Sequence, residues 1–245
     1  MIRRSQYAAG LAVVALLCFS RAAAAQDYKA VVGTVPVPPE ISAPVRALLS
    51  PASISVTGPS GPLCEMWLRA TIPAAAQPTT ALGVTYGQLV DGSIVGAIHF
   101  DTAVKDFRSQ IVQPGTYVLR YALQPVDGNH QGVSDYRDFL LLTPAATDAN
   151  AANLADNDLY ILSRKASGAG HPSVWSLVPA DGAPTSLPGM VHDTSDDFWV
   201  LYMKAAVGTS PTTLGLVIVG HAEQPSNCVI SLAASEAQTR ENPSK

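Results

Sequence analysis

From Ala52 onward, apolar residues recur at every second position in runs that glycine and proline cut short. Successive side chains of a strand point to opposite faces, so this period reads as half-buried β-strands. The clearest run is 116–124, where Tyr117, Leu119, Tyr121 and Leu123 share one face. In 64–72, Cys64, Met66, Leu68, Ala70 and Ile72 face one way, and Glu65, Trp67 and Arg69 face the other. Further strands are expected at 27–33, 53–57, 82–86, 93–100, 107–112, 139–143, 174–178, 197–207, 213–220 and 228–233. Gly208-Thr209-Ser210-Pro211 reads as the turn of an adjacent hairpin. Charged residues make up only 14%, which argues against long solvated helices, while the 47% of hydrophobic residues suffices for a sizeable core.

One segment breaks the rhythm. Ala151, Ala155, Leu159, Leu162 and Ala166 recur at helical spacing, which predicts an amphipathic helix over 150–167. Asp148 or Asn150 can cap its start, Arg164 and Lys165 suit its negative end, and Gly168 can stop it. Upstream, Pro36, Pro38, Pro39, Pro44 and Pro51 forbid a sheet interior. They leave room for one short helix at 44–49 after Ser42. About ten short strands with one helix predict a mainly β fold, an Ig-like, sandwich-type antiparallel domain. The expected organisation is a leader at 1–25, a proline-rich segment at 26–51, the β domain at 52–234 and a polar tail at 235–245. The alternative is two small β domains split near Asp148.

The leader is read from Arg3 and Arg4, the apolar run 8–19, and Ala23-Ala24-Ala25 before Gln26. That is the pattern of a secretory signal peptide, with Gln26 as the mature N-terminus and a periplasmic or extracellular destination. The arginine pair leaves twin-arginine export open, although Gln6 stands where that motif has a large apolar residue. Cys18 follows Leu17 rather than the small residue of a lipobox. The apolar run is shorter than the ~20 residues of a membrane span, and no transmembrane segment is expected later. Formal net charge is -4, and removal of Arg3, Arg4 and Arg21 leaves -7. An acidic chain without basic clusters is not expected to bind nucleic acid.

The chain has three cysteines, and Cys18 would leave with the leader. Cys64 and Cys228 then form a candidate disulfide for an oxidising compartment, closing a loop long enough to contribute about 4–5 kcal/mol. The alternative is two buried thiols.

The run PGTYVLRYALQPVDGNHQGVSDYRDFLLL (114–142), with SRKASGAGHP (163–172), resembles an uncharacterised family of secreted bacterial proteins. That resemblance implies secretion and carries no activity. Pro114-Gly115-Thr116-Tyr117 is also similar to the strand entrance of Ig-like and transthyretin-like sandwiches, which supports the fold alone.

Three candidate sites emerge. Asp127, Asn129, Gln131, Asp135 and Asp138 fall at the ligand offsets 1, 3, 5, 9 and 12 of a calcium loop, with Gly132 at its turn. Against calcium, Gln131 and Asp138 depart from the usual side chains, the flanks read as strands, and a hairpin rich in Asx-turns uses the same residues. His130, His171 and Asp193 lie in separate loops. If one end of the sheets gathers those loops, they can form a transition-metal or acid–base site. Trp67 beside Glu65 and Arg69 can stack on a sugar ring if exposed, whereas Trp175 and Trp199 read as core. His99 and His221 end apolar strands and read as edge residues. There is no G-x-S-x-G elbow and no phosphate-binding G-x-x-x-x-G-K loop. The leading expectation is a non-enzymatic binding or accessory module of the cell envelope, meeting an envelope ligand or protein through 127–138 and 169–172. The alternatives are a metal-dependent enzyme using His130 and His171, and a structural envelope protein.

Overall fold

A computed structural model describes residues 27–128, 130 and 133–222. The strands are β1 (Lys29–Gly33), β2 (Ser53–Gly58), β3 (Gly61–Leu68), β4 (Ile94–Phe100), β5 (Val104–Lys105) and β6 (Ile111–Val112). They continue with β7 (Gly115–Leu123), β8 (Asp138–Pro144), β9 (Val174–Val178), β10 (Gly189–Asp193), β11 (Phe198–Val207) and β12 (Ser210–Val219). The helices are α1 (Ala43–Arg46) and α2 (Asp156–Ser167). The mainly antiparallel β architecture with one amphipathic helix is as expected. Ten strands hydrogen-bond in one sheet, in the order β1-β2-β3-β4-β7-β8-β9-β12-β11-β10. β5 and β6 form a separate small hairpin.

β9 turns the corner between the two halves of the sheet. Its Val174–Ser176 portion pairs with β8, while Leu177 and Val178 pair with β12. The free edges nearly meet, with the rings of Tyr28 and Trp199 5.0 Å apart. Beyond β3 the chain adds a rung across the gap, because Ile72 N–H donates to Ala206 and Gly208 N–H donates to Ile72. The result is close to a barrel, and its interior is filled by side chains. Tyr117, Leu119 and Tyr121 of β7 lie in it as the alternation predicts, among Met66, Leu140, Trp175 and Leu201. Tight turns keep the strands adjacent. Gly208 at φ +56° opens the two-residue loop between β11 and β12, which needs positive φ at its first position.

The outer face carries two further apolar layers. The proline-rich segment and α1 cover one, burying Val45 and Ile41 against Trp67, Ile94 and Val118. Thus the described part of that segment, 27–51, adds an edge strand and a cover to the β domain. The second lies under α2, where Leu159 meets Phe139 and Leu141 of β8.

α2 starts at Asp156, six residues later than its spacing predicts. The residues before it form a strap pinned by Arg120, a fully buried arginine on β7. Its guanidinium donates to both oxygens of Asp148 at 2.7 Å and to the carbonyls of Gly92, Asn150 and Ala152. Asp148 therefore pairs with the sheet and does not cap the helix. The end is as predicted, with Gly168 left-handed at φ 62° after Arg164 and Lys165. The short helix is α1, and Ser42 precedes it without a side-chain capping bond.

Other boundaries shift for local reasons. Residues 82–86 are not a strand, and Leu82 is 96% exposed. The run 107–112 splits because Asp106 builds a turn there, accepting from the N–H groups of Arg108 and Gln110. β10 lacks a strong alternating pattern and forms by pairing with β11. The expected leader, polar tail and 228–233 strand lie outside the described residues. Among the described residues no helix is long and apolar enough to cross a membrane.

Candidate functional site

The second outer layer is incomplete. Between α2 and the sheet lies a cavity of about 180 Å³ with a mainly apolar lining. Its floor is Ala122 of β7, Phe139 and Leu141 of β8, and Val174 of β9. Phe107 and Arg108 come from the loop between β5 and β6, and Tyr160 and Arg164 from α2. The remaining wall is His130, Val133 and the loop Gly170-His171-Pro172.

Each wall is held by its own hydrogen bonds. The Asp106 carboxylate is fully buried and accepts from Arg108 N–H, Gln110 N–H, Gln110 Nε2 and Val174 N–H. That fixes the turn presenting Arg108. Ser163 on α2 donates to Ser173 and accepts from its N–H, clamping the helix to the 171–173 segment. Ser167 Oγ donates to the His171 carbonyl at 2.7 Å. On the other side, Gln124 Nε2 donates to the His130 carbonyl at 2.9 Å, while Arg137 donates to the Gln124 carbonyl. The cavity is thus pre-formed, the usual condition of small-ligand sites.

His130 and His171 meet here, with ring centroids 6.2 Å apart. The sequence left open whether these two loops meet, and here they do. His171 Nδ1 lies 2.9 Å from the Pro172 carbonyl, which can only accept, so Nδ1 carries the hydrogen. Burial first, then the nearby Arg108 and His130 charges, hold the His171 pKa below its ordinary value, against the Pro172 bond and Asp106. His171 is therefore neutral at neutral pH. His130 Nδ1 is 2.7 Å from Asp127 Oδ1.

The third member of the proposed metal set is elsewhere. Asp193 ends β10, accepts from Ser195 N–H at 2.9 Å and does not line the cavity. Among the described residues no group of three or more His, Cys, Asp or Glu side chains is placed to hold a metal ion. The His130–His171–Asp193 set is corrected accordingly: two imidazoles converge without the carboxylate.

The calcium spacing also fails at its last position. Asp138 is fully buried at the start of β8. Its Oδ1 accepts from Tyr86 N–H and the Tyr121 hydroxyl, and its Oδ2 from Thr85 N–H at 2.6 Å. Those core bonds occupy the carboxylate that would close a calcium loop. Asp135 is exposed, Asp127 bonds His130, and Asn129 and Gln131 lie outside the described residues.

Trp67 is no sugar platform. It is 1% exposed beneath the proline-rich segment, and its Nε1 donates to the Val35 carbonyl at 2.8 Å. Trp175 is core as expected, whereas Trp199 is half-buried, stacked on His192 and close to Tyr28. His99 and His221 are not cavity residues. Cys64 is buried on the barrel interior, and burial pushes its thiol pKa up. Cys64 has no disulfide partner among the described residues, and Cys228 lies outside them.

Arg108, Tyr160 and the floor residues are cavity residues that the sequence reading did not single out. A usable signal existed for Arg108, since Asp106-Phe107-Arg108-Ser109 interrupts a weak strand with an Asx-turn pattern. Nothing local marks Tyr160, which becomes a wall only when α2 docks. No family model, curated protein or solved structure matches the chain.

Proposed function

We propose that this protein is a non-enzymatic binding module, secreted into the periplasm or beyond by the leader at 1–25, that holds a small ligand in the cavity under α2. The supporting observation is the convergence of Arg108, His130, Arg164 and His171 around an apolar floor, on walls fixed in advance. Few polar groups around an apolar, concave surface is the usual composition of a small-molecule site. Among the described residues the two imidazoles have no third side chain placed to complete a catalytic metal centre.

The test uses protein recovered from the native host's envelope fraction. N-terminal sequencing is expected to begin at Gln26. Native mass spectrometry should show a bound small molecule on the wild type. Gly170→Trp should lack it, because Gly170 lines the cavity and a large ring there obstructs it, while the open space around an added Cβ lets the variant fold. A stoichiometric transition metal, or the same bound small-molecule mass on wild type and Gly170→Trp, would overturn the reading.

A further inference from the structure

The charge around the cavity is one-sided. Arg108 and Arg164 both line it, and among the described residues neither is within ion-pair distance of an acidic side chain. The acids near them are committed. All four hydrogen bonds to Asp106 come from its own turn, Gln110 and Val174. Asp127 is bonded to His130. Among the described residues, two guanidinium groups therefore flank an apolar recess with no carboxylate in contact with either. His171 offers an Nε2 with no described partner, and Tyr160 a hydroxyl with none. Burial raises the Tyr160 pKa, so at neutral pH that hydroxyl remains a donor. The recess itself is small. An apolar cavity of about 150 Å³ admits benzene, and this one is about 180 Å³. An apolar body of six to eight carbons is the size that fits, roughly one ring or a short chain.

We infer that the ligand is a small amphipathic carboxylate, its apolar body on Phe139 and Leu141 and its carboxylate between Arg108 and Arg164. This rests on the cavity being the binding site. Arginine suits the task because its planar fork presents paired donors to a carboxylate. A carboxylate in place of a bulk counter-ion gives both arginines a contacting anion while the body displaces water from the floor. A cationic head would face two guanidinium groups. A neutral head would leave both without a contacting carboxylate.

The probes are octanoate, octanol and octylamine, titrated calorimetrically at pH 7.5 into the full mature chain. Octanoate is expected to bind at least tenfold more tightly than octanol, and octylamine not at all. Arg108→Gln should bring octanoate close to octanol, a loss of about ten- to a hundredfold for a charged hydrogen bond. Arg164→Gln should act in the same direction but less, since Arg164 is more exposed. Circular dichroism would verify that both variants fold. If octanol binds as well as octanoate and neither arginine matters, the carboxylate assignment is wrong while the cavity reading stands, provided Gly170→Trp abolishes binding. If no probe binds, or Gly170→Trp binds octanoate like the wild type, both fall.

Discussion

Arg120→Met tests the strap that seats α2. The arginine is fully buried and all its donors are used, on both oxygens of Asp148 and on the carbonyls of Gly92, Asn150 and Ala152. Methionine fills much of the volume, so packing loss is secondary. The main cost is electrostatic. Asp148 is buried and would keep only its bond from Thr143 Oγ1. Removing one partner of a buried ion pair costs about 3–5 kcal/mol. The strap carbonyls are only partly buried and can recruit water, which adds roughly 1 kcal/mol. A loss of about 4–6 kcal/mol corresponds to a fall in Tm of roughly 10–20 °C for a chain of this size. The assay is urea unfolding followed by tryptophan fluorescence, read as a shift in midpoint at unchanged slope. Asp148→Asn completes a double-mutant cycle, in which the two losses should overlap by more than about 2 kcal/mol. A loss for Arg120→Met below about 1 kcal/mol, or strictly additive losses, would refute the account of Arg120 as the anchor of the strap.

Gly92→Ala should destabilise by about 3 kcal/mol or more in the same assay, because Gly92 sits at φ +73° and a Cβ would lie 1.8 Å from the Leu154 carbonyl oxygen. Asp138→Ala should lower Tm by a similar amount equally with calcium or chelator present, since it strips the acceptor from Tyr86 N–H, Thr85 N–H and the Tyr121 hydroxyl. A calcium-dependent difference in that loss would restore the metal reading. His171 supplies a pH dependence. Its folded pKa lies below 6.5, so just below that pH the unfolded chain takes up a proton that the folded chain does not. Its contribution to stability is complete above about pH 6.5 and is lost as pH falls toward the folded pKa. Melting curves from pH 7.5 to 5 should therefore be steeper for wild type than for His171→Gln, and equal slopes would contradict the burial argument.

Alternation and glycine were legible along the chain because both act within a few residues. The face shared by Tyr117, Leu119 and Tyr121, the helix stop at Gly168 and the hairpin at Gly208 all follow from local sterics and the period of the side chains. The same local logic failed where a distant group took over a residue's hydrogen bonds. Asp148 has the chemistry of a helix cap, but Arg120 claims its carboxylate and delays α2 to Asp156. Asp138 has the spacing of a calcium ligand, but Tyr86 and Tyr121 claim its oxygens inside the fold. Trp67 alternates toward the outer face, but the proline-rich segment lies over that face and buries it. The sequence by itself determined the mainly β class, the faces of the main strands and the two histidine-bearing loops. Only the tertiary structure decided that those loops would meet across the α2 cavity and that Asp193 would not join them. That choice depends on contacts between residues far apart in the chain, which no local period encodes.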